Sequence, residues 1–329
     1  MKFMLRTTML SAFIGFLALL SGGAQAEVLK ARMAQNLSPI SGVAIVAQEK
    51  GFFAKHGLEI TVSNFTSGKQ CLDTVIGGGA DIATTAEAPT TAAAMAGLPI
   101  AFLARMEYSD DKTVASAKSG IKTRNDLKGK KIAYTAGTGS EVYTATLLKS
   151  VGLTKDDVSL VNLQPQAMLP ALVSGSIDAF NSWEPHISNA KKAMGADAVG
   201  IDTKGVYAET FNIVVTKDYL AKNEALMEKF LAALIDAEKW MKANPEEAIA
   251  IVAKATGIKP EDLAAIWADY NYHVTLDDKQ IEVLKAHAAW RLESGNHPPG
   301  ATTMPDLSKV IEPGPLKKVD SSRVTYTLK

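Results

Sequence analysis

The sequence predicts an α/β protein built as two similar lobes, each a wound, mostly parallel sheet flanked by helices, facing a shared cleft. Three observations carry this. First, short apolar strands alternate with helical stretches of about ten to fifteen residues, a rhythm that produces parallel sheets with helices on their faces. Second, the chain resembles itself: a shift of 97 residues places Leu72 on Leu169, Gly78 on Gly175, Asp81 on Asp178 and Glu87 on Glu184, and a shift of 99 places Met33-Ala34 on Ile132-Ala133 and Ser38 on Gly137. Third, 329 residues exceed what one hydrophobic core comfortably organises.

The N-terminus reads as an export signal. A basic start, Met1-Lys2-Phe3-Met4-Leu5-Arg6, precedes an apolar run over 9–20 and the small-residue pattern Ala24-Gln25-Ala26. The run is too short to span a bilayer as a helix. Cleavage after Ala26 is expected, and no cysteine follows at which a lipid could be attached. The expected location is therefore the periplasm, as a soluble protein.

Next come a strand over 28–33, a helix over 41–55 ending near Gly57, a strand over 58–64, a helix over 67–77, a strand over 80–84, a helix over 89–96 closed by Gly97, and a strand over 100–105. A second unit repeats the order: strand 130–134, helix 140–151, strand 158–162, helix 167–174, strand 177–181. From Val214 onward the pattern is mostly helical, over 220–243, 245–256, 260–269 and 277–293.

Composition removes several function classes. Lys2 and Arg6 fall in the signal segment and none of the 35 acidic residues does, so the mature chain carries a net charge of −2 against 35 basic and 35 acidic residues in the whole sequence. Nucleic-acid binding calls for a basic face. The single cysteine, Cys71, excludes an internal disulfide and reads as a small core residue. Five scattered histidines form no zinc-ligand spacing, so no metal site and no cofactor are expected.

Ligands of wound sheets sit beyond the C-terminal strand ends. The turn Gly137-Thr138-Gly139-Ser140 lies there, between a strand and an amphipathic helix. A helix N-terminus offers free N–H groups and positive potential to an anion. Neither a phosphate-binding P-loop nor a dinucleotide fingerprint is present, since Val142 stands where the third glycine would be. The Thr138/Glu141 spacing equally fits a capping box that satisfies the helix end by itself. Ser38-Pro39 and Thr66-Ser67 are further strand-to-helix turns, each also readable as a plain N-cap. Glu87 and Glu184 stand just past equivalent strands, beside Pro89 and Pro185. Each is either an acid favoured by a helix N-terminus or a carboxylate for a ligand ammonium or N–H group. Trp183 is a cleft wall or a core residue, and Arg105 ends a strand where it could pair with an anion or with Glu107. Asp81 and Asp178 begin their strands, away from the cleft, and read as structural.

Several segments resemble one family. Glu49-Lys50-Gly51-Phe52-Phe53-Ala54-Lys55-His56-Gly57-Leu58 is similar to a segment shared by periplasmic substrate-binding proteins of ABC transporters in the nitrate/sulfonate/taurine family. So are Gly79-Ala80-Asp81-Ile82-Ala83, Ala96-Gly97-Leu98-Pro99-Ile100, Asp126-Leu127-Lys128-Gly129-Lys130-Lys131, Gly175-Ser176-Ile177-Asp178-Ala179 and Trp183-Glu184-Pro185. They follow in the right order over residues 28–190. The resemblance implies a type II periplasmic binding protein fold with lobe one at 27–108 plus 213–329, lobe two at 113–208, and crossings near 108–113 and 209–213. It implies a monomeric, non-enzymatic solute receptor that closes over a small molecule and docks on an ABC permease with its ATPase. It places Ser38, Pro39, Thr66, Ser67, Glu87, Gly137, Thr138, Gly139, Ser140, Trp183 and Glu184 at the cleft. An anion-ready turn with two carboxylates points to a taurine-like zwitterion or alkanesulfonate. The alternatives are a nitrogen heterocycle such as a thiamine pyrimidine precursor, and a ligand-presenting accessory to a membrane sensor kinase. A thiamine-pyrimidine synthase on this fold needs a cysteine- and histidine-rich site, which one cysteine and dispersed histidines do not supply.

Overall fold

The computed structural model describes residues 28–327. The first lobe opens with β1 (Leu29–Asn36), α1 (Gly42–Glu49), α2 (Phe52–Lys55), β2 (Leu58–Phe65), α3 (Gly68–Ile76), β3 (Ile82–Ala86), α4 (Glu87–Met95) and β4 (Ile100–Asp110). The second holds β5 (Lys112–Ser116), β6 (Lys131–Tyr134), α5 (Gly139–Ser150), β7 (Ser159–Asn162), α6 (Pro165–Val173), β8 (Ala179–Ser182), α7 (His186–Met194) and β9 (Ala198–Ile201). The chain then returns to the first sheet with β10 (Ala208–Thr216), followed by α8 (Lys217–Ala243), α9 (Pro245–Thr256), α10 (Pro260–Ile266), β11 (Asn271–Thr275), α11 (Asp278–Ser294) and α12 (Gly314–Val319). The export signal expected over 1–26 lies outside the described residues. Among those described, no helix is long and apolar enough to cross a membrane.

The six-stranded sheet has the order β11-β4-β10-β3-β1-β2 and the five-stranded sheet the order β7-β6-β8-β5-β9. Both are mostly parallel in direction, with β10 and β11 reversed in the first and β5 reversed in the second. The chain changes sheets between Asp110 and Lys112 and returns over residues 202–207.

The internal repeat seen in the sequence is a repeat of register. Met33 pairs with Ile82 in one lobe, and Ile132 pairs with Ala179 in the other, the same positions displaced by 99 and 97. Each lobe fastens this pair with an aspartate at the start of the second strand. The Arg32 N–H donates to Asp81 Oδ2 at 2.8 Å, and the Lys131 N–H donates to Asp178 Oδ2 at 2.8 Å. Both carboxylates satisfy edge N–H groups at the strand ends away from the cleft, as the sequence implied.

The expected helix over 41–55 is two helices. Gly51 adopts φ 69°, a left-handed conformation open to glycine, and the chain turns there before Phe52 and Phe53 are buried. Phe53 stacks on Phe230 of α8 with centroids 4.9 Å apart, which ties α2 to the helical C-terminal segment. β5, α7, β9, β10 and β11 have no counterpart among the elements expected from the sequence, and β4 runs to Asp110, five residues beyond the expected end at Arg105. The first lobe's core packs α1 and α8 against its sheet around Met33, Val43, Phe102, Met227, Phe230 and Leu234. Cys71 is fully buried in a small cluster with Ala34, Val75, Ala80 and Ala83, and burial pushes its thiol pKa up.

Candidate functional site

Among the spaces between the lobes, two small gaps of about 10 Å³ each, the room of a single water, meet at Trp183. One is lined by Asn36, Ile40, Gly68, Lys69, Ala86 and Pro89 from the first lobe, Thr138 and Trp183 from the second, and Glu209 and Phe211 of β10. The other is lined by Ile40, Ser109, Asp110, Lys112, Trp183, Glu184, Asp269 and Tyr270. Trp183 and Ile40 face both gaps, so they form the partition of one divided cleft. Asp111 borders a separate pocket of about 450 Å³ with Lys112, Thr203 and Asp269, and a groove of about 800 Å³ runs between α5 and α11.

The expected site residues fall as follows. Thr138 and Trp183 line the gaps directly, as does Glu184. Ser38 is buried, and its hydroxyl donates to Asn36 Oδ1 at 2.6 Å; the Pro39 carbonyl accepts from the Tyr272 hydroxyl at 2.6 Å. Ser67 caps α3, accepting the Gln70 N–H, while Thr66 is exposed and bonds the Gln70 side chain.

The glycine turn is held mainly by bonds inside its own lobe. The Thr138 hydroxyl donates to the Thr135 carbonyl at 2.7 Å, and the Ser140 hydroxyl donates to the Asn181 carbonyl at 2.7 Å. The capping box expected from Thr138 and Glu141 does not form: Thr138 makes no side-chain cap bond, and Glu141 instead accepts from the Gly137 N–H at 2.9 Å. The positive φ of Gly137, 77°, turns the chain so that this N–H meets Glu141. Opposite the turn stands the first lobe: a Cβ on Gly139 would lie 2.7 Å from Glu209 Oε1 and 3.3 Å from Asp111 Oδ2. Glycine at 139 is what lets these carboxylates approach the N-terminus of α5.

The two glutamates singled out from the sequence are both buried and both engaged. Glu87 takes the N–H and hydroxyl of Thr210 at 2.6 and 2.9 Å, accepts from the Tyr207 hydroxyl, and lies 3.5 Å from His287 Nε2. Burial raises its pKa, with these bonds working against the rise. Burial likewise drives the His287 pKa down to about 3, which keeps the imidazole neutral. Glu184 accepts the Ser188 N–H at 2.8 Å, at the start of α7, and its other oxygen lies 3.6 Å from Lys112 Nζ. Arg105 is bound to Asp277 at 2.6 Å, with its plane 5.1 Å from the Tyr108 ring.

A second set of acids was not singled out from the sequence. Glu107 and Ser109 of β4 lie opposite Phe211 and Glu209 of β10, and antiparallel partners share a face. Phe211, Glu209 and Ser109 all line the gaps, so this is the cleft face, and Glu107 stands on it too. Asp111 follows at the next alternate position. Exposure is 0% for Glu107, 1% for Asp111 and 4% for Glu209. Neither carboxylate of Glu107 or Asp111 has a hydrogen-bond partner of ordinary geometry among the described residues; the Ser109 hydroxyl is the neighbouring donor to Glu107. Burial lifts all three pKa values well above the carboxylate range. Neighbouring acids lift them further: Glu87 and Asp110 act on Asp111, Glu87 and Asp111 on Glu107, and Asp111, Glu87 and Glu107 on Glu209, while Ser109 and Arg105 hold Glu107 back. The sequence signal was the alternation Glu107-x-Ser109-x-Asp111, visible once β4 is known to run to Asp110.

The family model described as NMT1/THI5 like matches residues 39–248, more than half of the chain. The taurine-binding periplasmic protein of Escherichia coli (strain K12) is 28% identical over 271 residues, covering 79% of this chain and 82% of that protein. A Haemophilus influenzae protein named for thiamine biosynthesis is 30% identical over 220 residues, covering 64% of this chain and 68% of that one. Among solved structures, the alkanesulfonate-binding protein SsuA from Xanthomonas axonopodis pv. citri bound to MOPS superposes with a TM-score of 0.77 at 19% identity. That match covers 88% of this chain and 100% of the other, and it shows the two-lobed periplasmic binding protein fold. Both the taurine-binding relative and the SsuA structure are named as binding proteins. The matched span takes in both lobes and the turns that face each other across the cleft, and the chain belongs to the NMT1/THI5-like family.

Proposed function

We infer that this protein is the solute-binding component of an ABC importer. It captures a small organic molecule between its lobes in the periplasm and presents the closed form to a membrane permease and its ATPase. The observation that carries this is the position of Trp183: one indole from the second lobe lines both gaps against Ile40 of the first, where it would stack on a ligand held between them. The flanking groups are carboxylates, hydroxyls, amides and the ammonium groups of Lys69 and Lys112, which suits capture by polar contacts.

The taurine named for one relative carries an ammonium group, and a basic nitrogen is the ligand feature that Glu184 and Glu209, which line the gaps, favour. A small solute with a basic nitrogen, either a zwitterion of the taurine kind or a nitrogen heterocycle, is the class proposed. Native mass spectrometry of the exported, purified protein, followed by thermal-shift screening of amines, amino acids, taurine, alkanesulfonates, nitrate and pyrimidines, tests it. Ligand at a hundred times its dissociation constant adds about 2.7 kcal/mol to stability. A single retained small molecule, or a shift of several degrees with one class, is the expected result. A protein that retains none and responds to none is not a solute receptor.

A further inference from the structure

The carboxylates on the cleft face of the first lobe carry a sharper reading, which rests on the importer reading above. We propose that Glu107, Asp111 and Glu209 form the seat of a protonated ligand nitrogen, so that the cleft takes a small organic cation in preference to a sulfonate or nitrate.

Position comes first. The three residues share one face of β4 and β10 and its continuation at the crossing to β5, and Glu209 borders the gap that Trp183 and Phe211 enclose. They are brought together from about a hundred residues apart, with no helix of their own to stabilise and no lysine or arginine paired to Asp111 or Glu209 among the described ion pairs. A purely structural buried carboxylate is normally matched by donors, because an unmatched one is costly to bury. Glu87 on the same side shows what matching looks like, with three donors from Tyr207 and Thr210. Glu107 and Asp111 leave all four oxygens without such partners. Acceptors buried in this way serve a donor that arrives.

The cations of the neighbourhood pair with acids outside the cluster. Arg105 binds Asp277 through Nη2 while its buried Nε and Nη1 have no partner among the described residues, Lys112 lies 2.8 Å from Asp269 and 3.6 Å from Glu184, and Lys69, beside Gly137, pairs with Asp73 at 2.5 Å. The site that a ligand anion would otherwise use, the N-terminus of α5, faces Glu209 and Asp111 across Gly139. A sulfonate placed there would lie against two carboxylates. A protonated amine or amidine would instead draw both toward itself while α5 stabilises their ionised form. Trp183, and Tyr270 with its buried unpartnered hydroxyl, supply aromatic faces and one further polar contact for a flat or methylated cation.

The test uses three cations, benzamidine, 4-aminopyridine and ethanolamine, against ethanesulfonate and nitrate, each titrated into the full-length mature protein and into Glu209→Gln and Asp111→Asn. Binding is read by calorimetry and thermal shift at pH 7.5. The expected result is that at least one cation binds, that its affinity falls at least tenfold in both variants, and that neither anion binds the wild type. Glu209→Gln should also melt higher than the wild type without ligand, so loss of binding with a raised midpoint separates recognition from misfolding. Binding of ethanesulfonate or nitrate that survives or improves in Glu209→Gln overturns the cation seat and leaves the importer reading standing. Silence toward every probe, with no small molecule retained on native mass spectrometry, overturns both.

Discussion

Trp183 is 7% exposed and faces both gaps, so its replacement separates a wall of the cleft from a piece of core. Trp183→Ala is expected to cost about 3 kcal/mol of stability, at the lower end for a buried aromatic because part of its surface borders the gaps. It should also abolish measurable ligand binding at protein concentrations where the fold is intact. Calorimetry on the variant below its melting transition checks this; a lowered midpoint with affinity kept within twofold would make Trp183 a core residue only. The indole was legible in the sequence because it sits in a local motif beside Glu184 and Pro185. Glu209 and Asp111 were not, for a physical reason. Their meaning comes from a face shared by strands about a hundred residues apart, and a reading that stops β4 at Arg105 leaves Glu107 and Asp111 in a loop with no face at all. Glu87 and Glu184, found by their places after equivalent strands, are both buried, but only Glu184 lines a gap, and hydrogen bonds to Thr210, Tyr207 and Ser188 occupy much of their capacity.

Helix α5 begins where the two lobes touch, and Gly139 decides how closely. Gly139→Ala raises helix propensity by up to about 1 kcal/mol, yet its Cβ would stand 2.7 Å from Glu209 Oε1 on the opposite lobe. Opening of the lobes would relieve this clash. The variant is therefore expected to keep or raise its melting temperature without ligand, to bind ligand at least tenfold more weakly, and to show a larger radius of gyration in solution scattering. An unchanged affinity would mean that Glu209 swings aside freely. The strand pairs tell a complementary story about what sequence reveals. The offsets of 99 and 97 carry the β1–β3 pair onto the β6–β8 pair, and Asp81 and Asp178 anchor each pair. Asp178→Ala should cost about 1 kcal/mol through the Lys131 N–H left unpaired. Asp81→Ala should cost more, since Asp81 also holds the Arg32 guanidinium at 2.7 and 3.1 Å; chemical denaturation measures both. By contrast β5, β9, β10 and β11 escaped notice. They are short or reversed strands whose place comes from pairing with distant partners, whereas helices α9 and α11 announce themselves by local periodicity and caps.

The molecule holds two opposed sets of carboxylates, and together they fix how its stability depends on pH. Glu238 is on the buried face of α8 with 1% of its side chain exposed, accepting from Arg323 at 2.6 Å, from the Val274 N–H at 2.8 Å, from Lys242 and from His273. Burial alone would raise its pKa, but these donors outweigh it and bring it down to about 2. A depressed acid stabilises the fold above its unfolded pKa, near 4.5, and that contribution is lost as pH falls toward 2; after allowance for solvent screening it amounts to roughly 1–3 kcal/mol. Glu107, Asp111, Glu209 and Glu87 act in the other direction. Their pKa values are raised by burial and by one another, with Arg105, Ser109, Tyr207 and Thr210 offsetting part of the rise at Glu107 and Glu87, while His287 stays neutral. The unfolded chain releases these protons near pH 4 and the folded chain only at higher pH, so the ligand-free fold loses stability as pH climbs above about 4. The melting temperature of the ligand-free protein should therefore peak in mildly acid buffer and fall on both sides. Glu209→Gln should flatten the neutral limb and leave the acid limb alone, and Glu238→Gln should do the reverse. Melting curves of the three proteins from pH 3 to 8 decide it, and a wild type that grows steadily more stable up to pH 8 would show that the cleft carboxylates ionise freely and repel too little to matter.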